Sequence, residues 1–272
     1  MHVGELMSFL NITNKSYLIT GVANKKSVAY FVTKTLLEEG ANVILSVQTV
    51  EHQKKVQKLF PNLEILICDV ENDESINELG REINKRSISL DGFVHSLAFA
   101  NFSDGPKPFH ETKTEDFLQA TNISCFSLVK LANSLKDILT EEASVVALSI
   151  SNTRATSYGY LGPIKAALDT SVAYLAKSFS EYSRVRFNTV AAGPLKTSAS
   201  AGIPNYVENY LYAEQLALRK TALKTQEVAN TVVFLLSSAS SGINASNMLV
   251  DAGMSSNYFD QEIVKTYAKS QL

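Results

Sequence analysis

Short apolar stretches alternate with longer amphipathic stretches along almost the whole chain. The short stretches are rich in β-branched residues and run without polar interruption, which is typical of strands covered on both faces. They predict strands at Tyr17–Thr20, Asn42–Val47, Glu64–Cys68, Gly92–Ser96, Ser144–Ser149, Arg186–Val190 and Met248–Val250. The stretches between them predict helices near residues 27–39, 50–58, 73–86, 113–136, 160–180, 205–217 and 226–238. Strands that alternate with helices of this length imply right-handed βαβ crossovers.

This alternation predicts an α/β fold, with a single doubly wound domain of the Rossmann type over residues 1–272 and a mostly parallel seven-stranded sheet. No internal repeat, low-complexity tract or linker interrupts the pattern. Sheets of this kind bind ligands at the carboxyl ends of their strands, where the connections reverse direction. The residues that directly follow each predicted strand are therefore the first candidates for a functional site.

Composition excludes several classes of function. The 25 basic and 27 acidic residues balance, so the chain lacks the basic excess of a nucleic-acid-binding protein. No apolar stretch approaches the ~18 residues of a membrane span, and the first residues lack the pattern of a secretory signal. Cys68 and Cys125 lie in apolar surroundings, as reduced core cysteines do, and the four histidines show no metal-ligand spacing. We expect a cytoplasmic protein that binds no metal, nucleic acid or membrane.

The loop after the first predicted strand is a candidate phosphate-binding turn. Gly21 opens it, but no second or third glycine follows, so the GxGxxG dinucleotide fingerprint is absent. The next helix begins near Ser27, and free N–H groups at a helix start can cradle a pyrophosphate, with the serine hydroxyl adding a contact. Alternatively, Ser27 is an ordinary N-cap, and this segment alone favours that interpretation.

The residues at the next three strand ends are further candidates for contacts with a dinucleotide cofactor. Gln48 follows the second predicted strand with neither an acidic residue nor an arginine beside it, which weakly favours NAD(H) over NADP(H). Asp69 follows the third strand, where it either accepts a hydrogen bond from adenine or caps the next helix. Ser96 ends the fourth predicted strand and Ala98 follows it, and their small side chains let a cofactor lie against the backbone.

A tyrosine and a lysine near the start of the 160–180 helix are the candidate catalytic residues. Tyr158 and Lys165 are seven residues apart, about 700° of an α-helix, so they share a face if both are helical. An ammonium near a phenol lowers the pKa of the phenol, which suits proton donation during hydride transfer. The alternative is two surface residues that merely share a face.

After the sixth strand, a Gly-Pro turn offers backbone amides to a nicotinamide carboxamide, with Thr197 near a phosphate.

Taken in order, these segments resemble one family. GVANKKSVA, the CDV after the third strand, VHSLAFA, the Tyr158–Lys165 spacing and AAGPLKTSASAGI are similar to the NADH-dependent enoyl-acyl-carrier-protein reductases, a divergent branch of the short-chain dehydrogenase/reductase superfamily. The resemblance extends from about Asn14 to Gly253. General short-chain dehydrogenases keep only three residues between the tyrosine and the lysine, so their tyrosine lies four residues before the lysine. In this chain the residue four before Lys165 is Leu161.

The resemblance implies an oxidoreductase that reduces trans-2-enoyl thioesters on acyl carrier protein with NADH, in fatty-acid synthesis. Hydride would pass to C3, while Tyr158 stabilises the enolate at the thioester oxygen and Lys165 binds the nicotinamide ribose and lowers the pKa of Tyr158. Residues 197–217 would form the substrate-binding loop and 254–272 a C-terminal tail, in a homotetramer. The implied cofactor contacts are Gly21, Ser27, Val28, Gln48, Asp69, Val70, Ser96, Lys165 and Leu195, and the implied substrate contacts are Ala98, Ala100 and Tyr158.

Three departures from the family pattern leave other functions open. Ile150 replaces a second tyrosine after the fifth strand, and Ala98 replaces a glycine. The segment PNYVENYLYAEQ carries glutamates and no basic residue, with Arg219 and Lys220 just beyond it, so docking of the carrier protein is open and coenzyme A thioesters are an alternative. A short-chain oxidoreductase with a drifted carbonyl substrate and a catalytically silent dinucleotide-binding protein are the competing hypotheses. The retained Tyr158–Lys165 pair opposes the silent one.

Overall fold

The computed structural model describes residues 9–103, 105, 107–197 and 206–270, and these form one seven-stranded sheet with helices on both faces. The strand order is β3-β2-β1-β4-β5-β6-β7, and all neighbouring pairs are parallel. The predicted doubly wound α/β fold is confirmed, with a sheet that is parallel throughout rather than mostly so. The strands are β1 Ser16–Thr20, β2 Asn42–Val47, β3 Glu64–Ile67, β4 Leu90–His95, β5 Leu139–Ile150, β6 Arg186–Ala192 and β7 Asn247–Val250.

The helices lie where the amphipathic pattern places them, with two exceptions. They are α1 Val28–Glu38, α2 Val50–Gln57, α3 Asp73–Lys85, α4 Thr114–Thr121, α5 Ser127–Leu135, α6 Leu161–Phe179, α7 Tyr206–Leu216, α8 Thr225–Leu236 and α9 Gln261–Ser270. The single helix predicted at 113–136 is wrong, because a π turn at Asn122–Phe126 separates α4 from α5. Helix α9 in the C-terminal tail was not predicted. Residues 198–205 of the expected substrate-binding loop lie outside the described residues.

Two apolar cores cover the two faces of the sheet. Helices α3, α5 and α6 pack on one face, and α1, α2 and α8 pack on the other. Successive strand side chains point to opposite faces, so Leu18 of β1 enters the first core and Ile19 enters the second. This double burial explains the uninterrupted apolar runs of the sequence. Strand β5 begins earlier than predicted because Glu141 and Glu142 in its first half are exposed and interrupt the apolar pattern.

Three features in the described part of the chain bear on the excluded functions. None of its helices combines the length and the apolar character that crossing a lipid bilayer requires. Its His, Cys, Asp and Glu side chains form no group of three that is able to hold a metal ion. Cys68 and Cys125 are buried and free, and burial raises the pKa of Cys68 to about 11. A thiolate nucleophile is therefore absent from both positions at neutral pH.

Candidate active site

A cleft of about 640 Å³ opens at the carboxyl ends of the strands, where the strand order reverses between β1 and β4. The ends of β1 to β6 each contribute to its walls. Every site residue that the sequence suggested lines this one cleft: Gly21, Ser27, Val28, Gln48, Asp69, Val70, Ser96, Ala98, Ala100, Tyr158, Lys165 and Leu195. The fold thus brings them together, while the role of each residue stays a prediction.

The turn after β1 has the shape that a dinucleotide pyrophosphate needs. Gly21 has φ +82°, and a Cβ there would lie 1.9 Å from the carbonyl oxygen of Ser96. The start of α1 faces the cleft through Val28, and its first turn carries no acidic side chain, so the positive end of the helix dipole is uncompensated. The Ser27 hydroxyl accepts a hydrogen bond from the backbone N–H of Tyr30 at 3.3 Å, so Ser27 is indeed the N-cap of α1.

The ends of β2 and β3 form the far wall of the cleft. Gln48 and Asp69 both line it, with His52 beside them. The alternative that Asp69 caps α3 is wrong, because Asn72 is the N-cap and the Asp69 carboxylate instead accepts the nearby backbone N–H of Glu71, at 3.1 Å. A carboxylate, an amide and an imidazole at this end match the polar edges of an adenosine. The residues present therefore fit a bound dinucleotide.

Lys165 lies buried in the cleft floor, where three backbone carbonyls accept hydrogen bonds from its ammonium. The Nζ–O distances are 2.8 Å to Leu148, 3.1 Å to Leu97 and 3.5 Å to Ser124. The Ser124 carbonyl belongs to the π turn, and the Ser124 hydroxyl fixes the loop after β4 through both backbone groups of Phe99, at 2.8 and 3.0 Å. The widened turn, which is a feature often found at functional sites, thus helps to position the lysine.

Burial lowers the pKa of Lys165 to about 8. The negative charge of Asp169, one turn further along α6, acts in the opposite direction and raises this pKa, but it does not outweigh burial. Cys125 and His95 also face the ammonium. His95 is fully buried and its pKa falls to about 3, so it stays neutral at physiological pH. Lys165 therefore keeps its positive charge at neutral pH and is close to losing it above pH 8.

Tyr158 does not occupy the helix that carries Lys165. It ends a short 3₁₀ turn, Thr156–Tyr158, and Gly159 then takes φ +58° before α6 begins. The prediction that the two side chains share a helical face is therefore wrong, although both line the cleft. The pKa of Tyr158 is also raised rather than lowered, first by burial and then by the neighbouring phenol of Tyr206. The Lys165 protons are directed at carbonyls, so the phenol receives no compensating contact from them in this structure.

Tyr206 is the site residue that the sequence did not reveal. It is the first residue of α7, and its hydroxyl accepts a hydrogen bond from the backbone N–H of Leu195 at 2.8 Å and donates to the Leu195 carbonyl at 2.9 Å. The ring lines the cleft beside Tyr158. The only sequence signal is a tyrosine within the segment PNYVENYLYAEQ, which has no motif that separates it from the other tyrosines of α7.

The remaining wall of the cleft is apolar. Ala98 and Ile150, two of the departures from the family pattern, both line it, together with Phe99, Phe102 and Leu161. An apolar wall beside a phenol and an ammonium is suited to a hydrocarbon chain that carries one polar reacting group.

Replacing Lys165 by methionine is expected to remove a pH dependence of stability. In the ligand-free wild type the folded pKa of about 8 lies below the ordinary value of 10.5, so the unfolded state binds more protons between these pH values. The wild type should therefore gain about 2 kcal/mol of unfolding free energy relative to the variant between pH 8 and 9.5. Chemical denaturation at several pH values measures this difference. Lys177→Met, at an exposed lysine on the same helix, is the control and should follow the wild type. If the unfolding free energies of the wild type and Lys165→Met changed in parallel with pH, the lowered pKa of Lys165 would be contradicted.

The described geometry agrees with comparisons to known proteins. The family model described as enoyl-(acyl carrier protein) reductase matches residues 21–255. The NADH-dependent enoyl-[acyl-carrier-protein] reductase FabI of Nostoc sp. is 36% identical over 90% of this chain and 97% of its own length. The NADPH-dependent FabI of Staphylococcus aureus (strain MRSA252) is 34% identical over 90% of this chain and 98% of its own length.

Solved structures of enoyl-acyl-carrier-protein reductases have the same fold as this chain. The enoyl-[acyl-carrier-protein] reductase (NADH) from Aquifex aeolicus superimposes with a TM-score of 0.85 at 31% identity, over 90% of this chain and 97% of that one. The Anaplasma phagocytophilum enzyme in complex with NAD superimposes with a TM-score of 0.84 at 28% identity, over 90% and 95% of the two chains.

Proposed function

Because this chain belongs to the enoyl-acyl-carrier-protein reductase family, we propose that it reduces the C2–C3 double bond of trans-2-enoyl thioesters with NADH in fatty-acid synthesis. The observation that carries this proposal is the cleft itself, which Tyr158 and Lys165 line together with a turn shaped for a pyrophosphate and a set of apolar side chains. The carbonyl oxidoreductase and the silent binding protein are both less favoured, since relatives over almost the whole chain are named as enoyl reductases.

The residues of the cleft divide the work of binding the dinucleotide. The Gly21 turn and the start of α1 hold the pyrophosphate, and Gln48, Asp69 and Val70 hold the adenosine. The small side chain of Ser96 would let the cofactor lie against the protein backbone, and the Leu195 backbone would hold the nicotinamide carboxamide. Bound NADH supplies the hydride that the enoyl C3 receives.

Tyr158 acts on the other reactant, the enoyl thioester. Its hydroxyl donates a hydrogen bond to the thioester oxygen, on which negative charge develops as C3 is reduced. The charged Lys165 gives up its longest contact, the 3.5 Å one to the Ser124 carbonyl, to hold the nicotinamide ribose. Its positive potential also favours the enolate. The enolate then takes one proton from solvent water at C2, so the substrate gains one hydride and one proton overall and Tyr158 keeps its own proton. The small Ala98 and Ala100 leave room for the acyl chain along the apolar wall.

The thioester is carried by acyl carrier protein, with coenzyme A thioesters as the alternative. Arg219 and Lys220, the basic residues just beyond α7, are both engaged within the chain: Arg219 forms a bidentate pair with Glu227 at 2.6 Å, and Lys220 pairs with Asp260. They offer an acidic carrier less charge than the sequence alone indicates. We therefore expect weak discrimination between the two carriers.

The assembly and the compartment are part of the same proposal. Leu118 of α4, Phe126 of the π turn and Tyr174 of α6 are large apolar side chains that are exposed in the single chain. Their exposure on neighbouring helices supports a homotetramer in which they are covered. The buried, unpaired Cys68 and Cys125 suit the reducing cytoplasm.

Initial rates of NADH and NADPH consumption with trans-2-decenoyl thioesters of acyl carrier protein and of coenzyme A test this function. We expect turnover with NADH to exceed turnover with NADPH, because no arginine follows β2 to pair with a 2′-phosphate. A 3-oxoacyl thioester serves as the carbonyl control. Reduction of the control but not of the enoyl thioesters would select the carbonyl oxidoreductase, and NADH binding without any turnover would select the silent protein.

A further inference from the structure

Two hydroxyl side chains lie on the face of the sheet that α6 covers. Ala147 of β5 and Phe187 of β6 belong to the apolar core on this face. Because strand side chains alternate between the two faces, Ser149 and Thr189 point toward α6 as well. Ser149 pairs with Ala191 and Thr189 pairs with Ala147, so the two hydroxyl residues are diagonal neighbours on adjacent strands. Small side chains therefore cover this part of the sheet.

Asp169 presents a carboxylate to this pair of hydroxyls from the opposite side. It lies four residues after Lys165, so both stand on the face of α6 that also carries the buried Leu168 and Val172. Burial raises the pKa of Asp169 above its ordinary value, whereas the two hydroxyls and the Lys165 ammonium lower it. The carboxylate thus lies near the hydroxyls on one side and near the lysine on the other.

The three side chains do not satisfy one another directly. The Oδ1 atom of Asp169, the Oγ atom of Ser149 and the Oγ1 atom of Thr189 are buried, and none of them forms a hydrogen bond with the described residues. Ser149 is only 5% exposed and Thr189 is fully buried. Buried polar atoms without a partner are costly, and native proteins pair them with protein groups or with ordered water. Three such atoms that face one another therefore indicate a small polar ligand between them.

A single water molecule has the hydrogen-bonding groups that these atoms need. Its two lone pairs accept the hydroxyl protons of Ser149 and Thr189, and one of its own protons is donated to Oδ1 of Asp169. Three hydrogen bonds are typical of a buried water. The carboxylate opposes an anion at this place and the Lys165 ammonium opposes a cation, so a neutral ligand is favoured.

We propose that Ser149, Thr189 and Asp169 hold an ordered water beside the active-site lysine, and that Asp169 is a positioning residue that keeps Lys165 charged. The water donates a hydrogen bond to the carboxylate and so favours its ionised form. The ionised carboxylate in turn opposes the loss of the Lys165 proton, which burial favours. Only the use of this charge in catalysis rests on the proposed function.

The other titratable side chains that face this part of the site do not supply a negative charge. Among the described residues, His95 of β4 and Cys125 of the π turn face the Lys165 ammonium. Burial lowers the pKa of the imidazole and raises that of the thiol, so both groups are neutral at physiological pH. Tyr158, from the 3₁₀ turn, is also neutral because its pKa is raised. The carboxylate of Asp169 is thus the group suited to this role.

The variant Asp169→Asn tests the inference because it keeps the shape of the side chain and removes its charge. In ligand-free protein labelled with ¹⁵N at the lysine Nζ, NMR titration measures the pKa of Lys165, whose signal is assigned by its loss in Lys165→Met. We expect this pKa to fall by about one pH unit in Asp169→Asn. The matched control is Glu181→Gln, at an exposed carboxylate just beyond α6 that pairs with Lys177, and it should leave the pKa unchanged. An unchanged pKa of Lys165 in Asp169→Asn would overturn the inference.

A high-resolution crystal structure of the ligand-free wild type tests the water site without any variant. We expect one water within hydrogen-bond distance of the Ser149 and Thr189 hydroxyls and of the Asp169 carboxylate. Direct hydrogen bonds among these three side chains, with no water between them, would overturn the inference even if Asp169→Asn failed to fold.

Enzyme assays on the same preparations separate this inference from the proposed function, since the titration and the crystal structure need neither cofactor nor substrate. If the wild type reduces no enoyl thioester, the proposed function fails, while the Lys165 titration still decides the role of Asp169. If the wild type reduces the enoyl thioester and Asp169→Asn leaves the pKa of Lys165 unchanged, only the inference fails.

Discussion

Replacing Tyr158 by phenylalanine is expected to lower kcat for enoyl reduction by about 10²–10³-fold, the loss that follows removal of one donor to a developing oxyanion. Burial and Tyr206 hold the pKa of Tyr158 above its ordinary value, so the hydroxyl remains a proton donor throughout the neutral and mildly alkaline range. The affinity for NADH should change less than about threefold, because the hydroxyl is assigned to the thioester and not to the cofactor. Steady-state kinetics and NADH titration measure the two effects separately.

The neighbouring tyrosine provides the matched control for this prediction. Tyr160 lies two residues further on, and its hydroxyl is bound to the backbone N–H and carbonyl of Asn101, at 2.6 and 3.0 Å. Tyr160→Phe should therefore cost about 1 kcal/mol of unfolding free energy and leave kcat within about threefold of the wild type. A large fall of kcat in Tyr160→Phe with little change in Tyr158→Phe would show that the reacting phenol has been misassigned.

Replacing Gly21 by alanine is expected to lower NADH affinity by about 100-fold or more. The residue has φ +82°, and the added methyl would lie 1.9 Å from the Ser96 carbonyl oxygen. The loops after β1 and β4 then have to separate, which displaces the turn assigned to the pyrophosphate. We expect an accompanying loss of about 2–4 kcal/mol of unfolding free energy, from backbone strain and overpacking together. NADH titration and chemical denaturation measure the two losses.

Gly105 separates the steric effect at Gly21 from backbone strain alone. It also has a positive φ, +79°, but a Cβ there would have no heavy atom of the described residues within 4 Å. Gly105→Ala should therefore cost only about 1 kcal/mol and leave NADH affinity unchanged. If Gly21→Ala bound NADH as tightly as Gly105→Ala does, the turn after β1 would not be the pyrophosphate site.

The fold was predictable from the sequence because both faces of the sheet are covered. Each strand then reads as an unbroken apolar run, and the strand ends that carry Gly21, Gln48, Asp69 and Ser96 follow from the runs directly. The topology of a parallel sheet brings such ends to one edge, so their meeting in one cleft required no knowledge of side-chain contacts.

The local geometry of the catalytic groups was less predictable. The helical interpretation of Tyr158 failed because Gly159 takes a left-handed conformation, and a glycine letter does not by itself distinguish a break from a tolerated helical position. The π turn at Asn122–Phe126 was missed because helical amphipathicity continues on both sides of it. The carbonyls of Leu97 and Leu148 that hold Lys165 leave no trace in the sequence, since every residue type carries a carbonyl.

Tyr206 shows a further limit of sequence interpretation. Its place in the cleft depends on how α7 packs against the turn after β6, which brings its hydroxyl to both backbone groups of Leu195. Tyr210 and Tyr212 on the same helix have the same side chain, but Tyr210 is buried beneath Lys196 and Tyr212 is half-exposed. Only the packing of the helix distinguishes the three tyrosines.

The central claim, hydride transfer to C3 of an enoyl thioester, is tested most directly by the position of an isotope in the product. The purified chain would be incubated with NADH that carries deuterium at both C4 positions and with a trans-2-octenoyl thioester. Mass spectrometry and NMR would then locate the label in the acyl chain. Our account predicts one deuterium at C3 of the saturated thioester and none at C2. Oxidation of NADH without deuterium in the acyl chain, or deuterium at a carbinol carbon formed by carbonyl reduction, would contradict it.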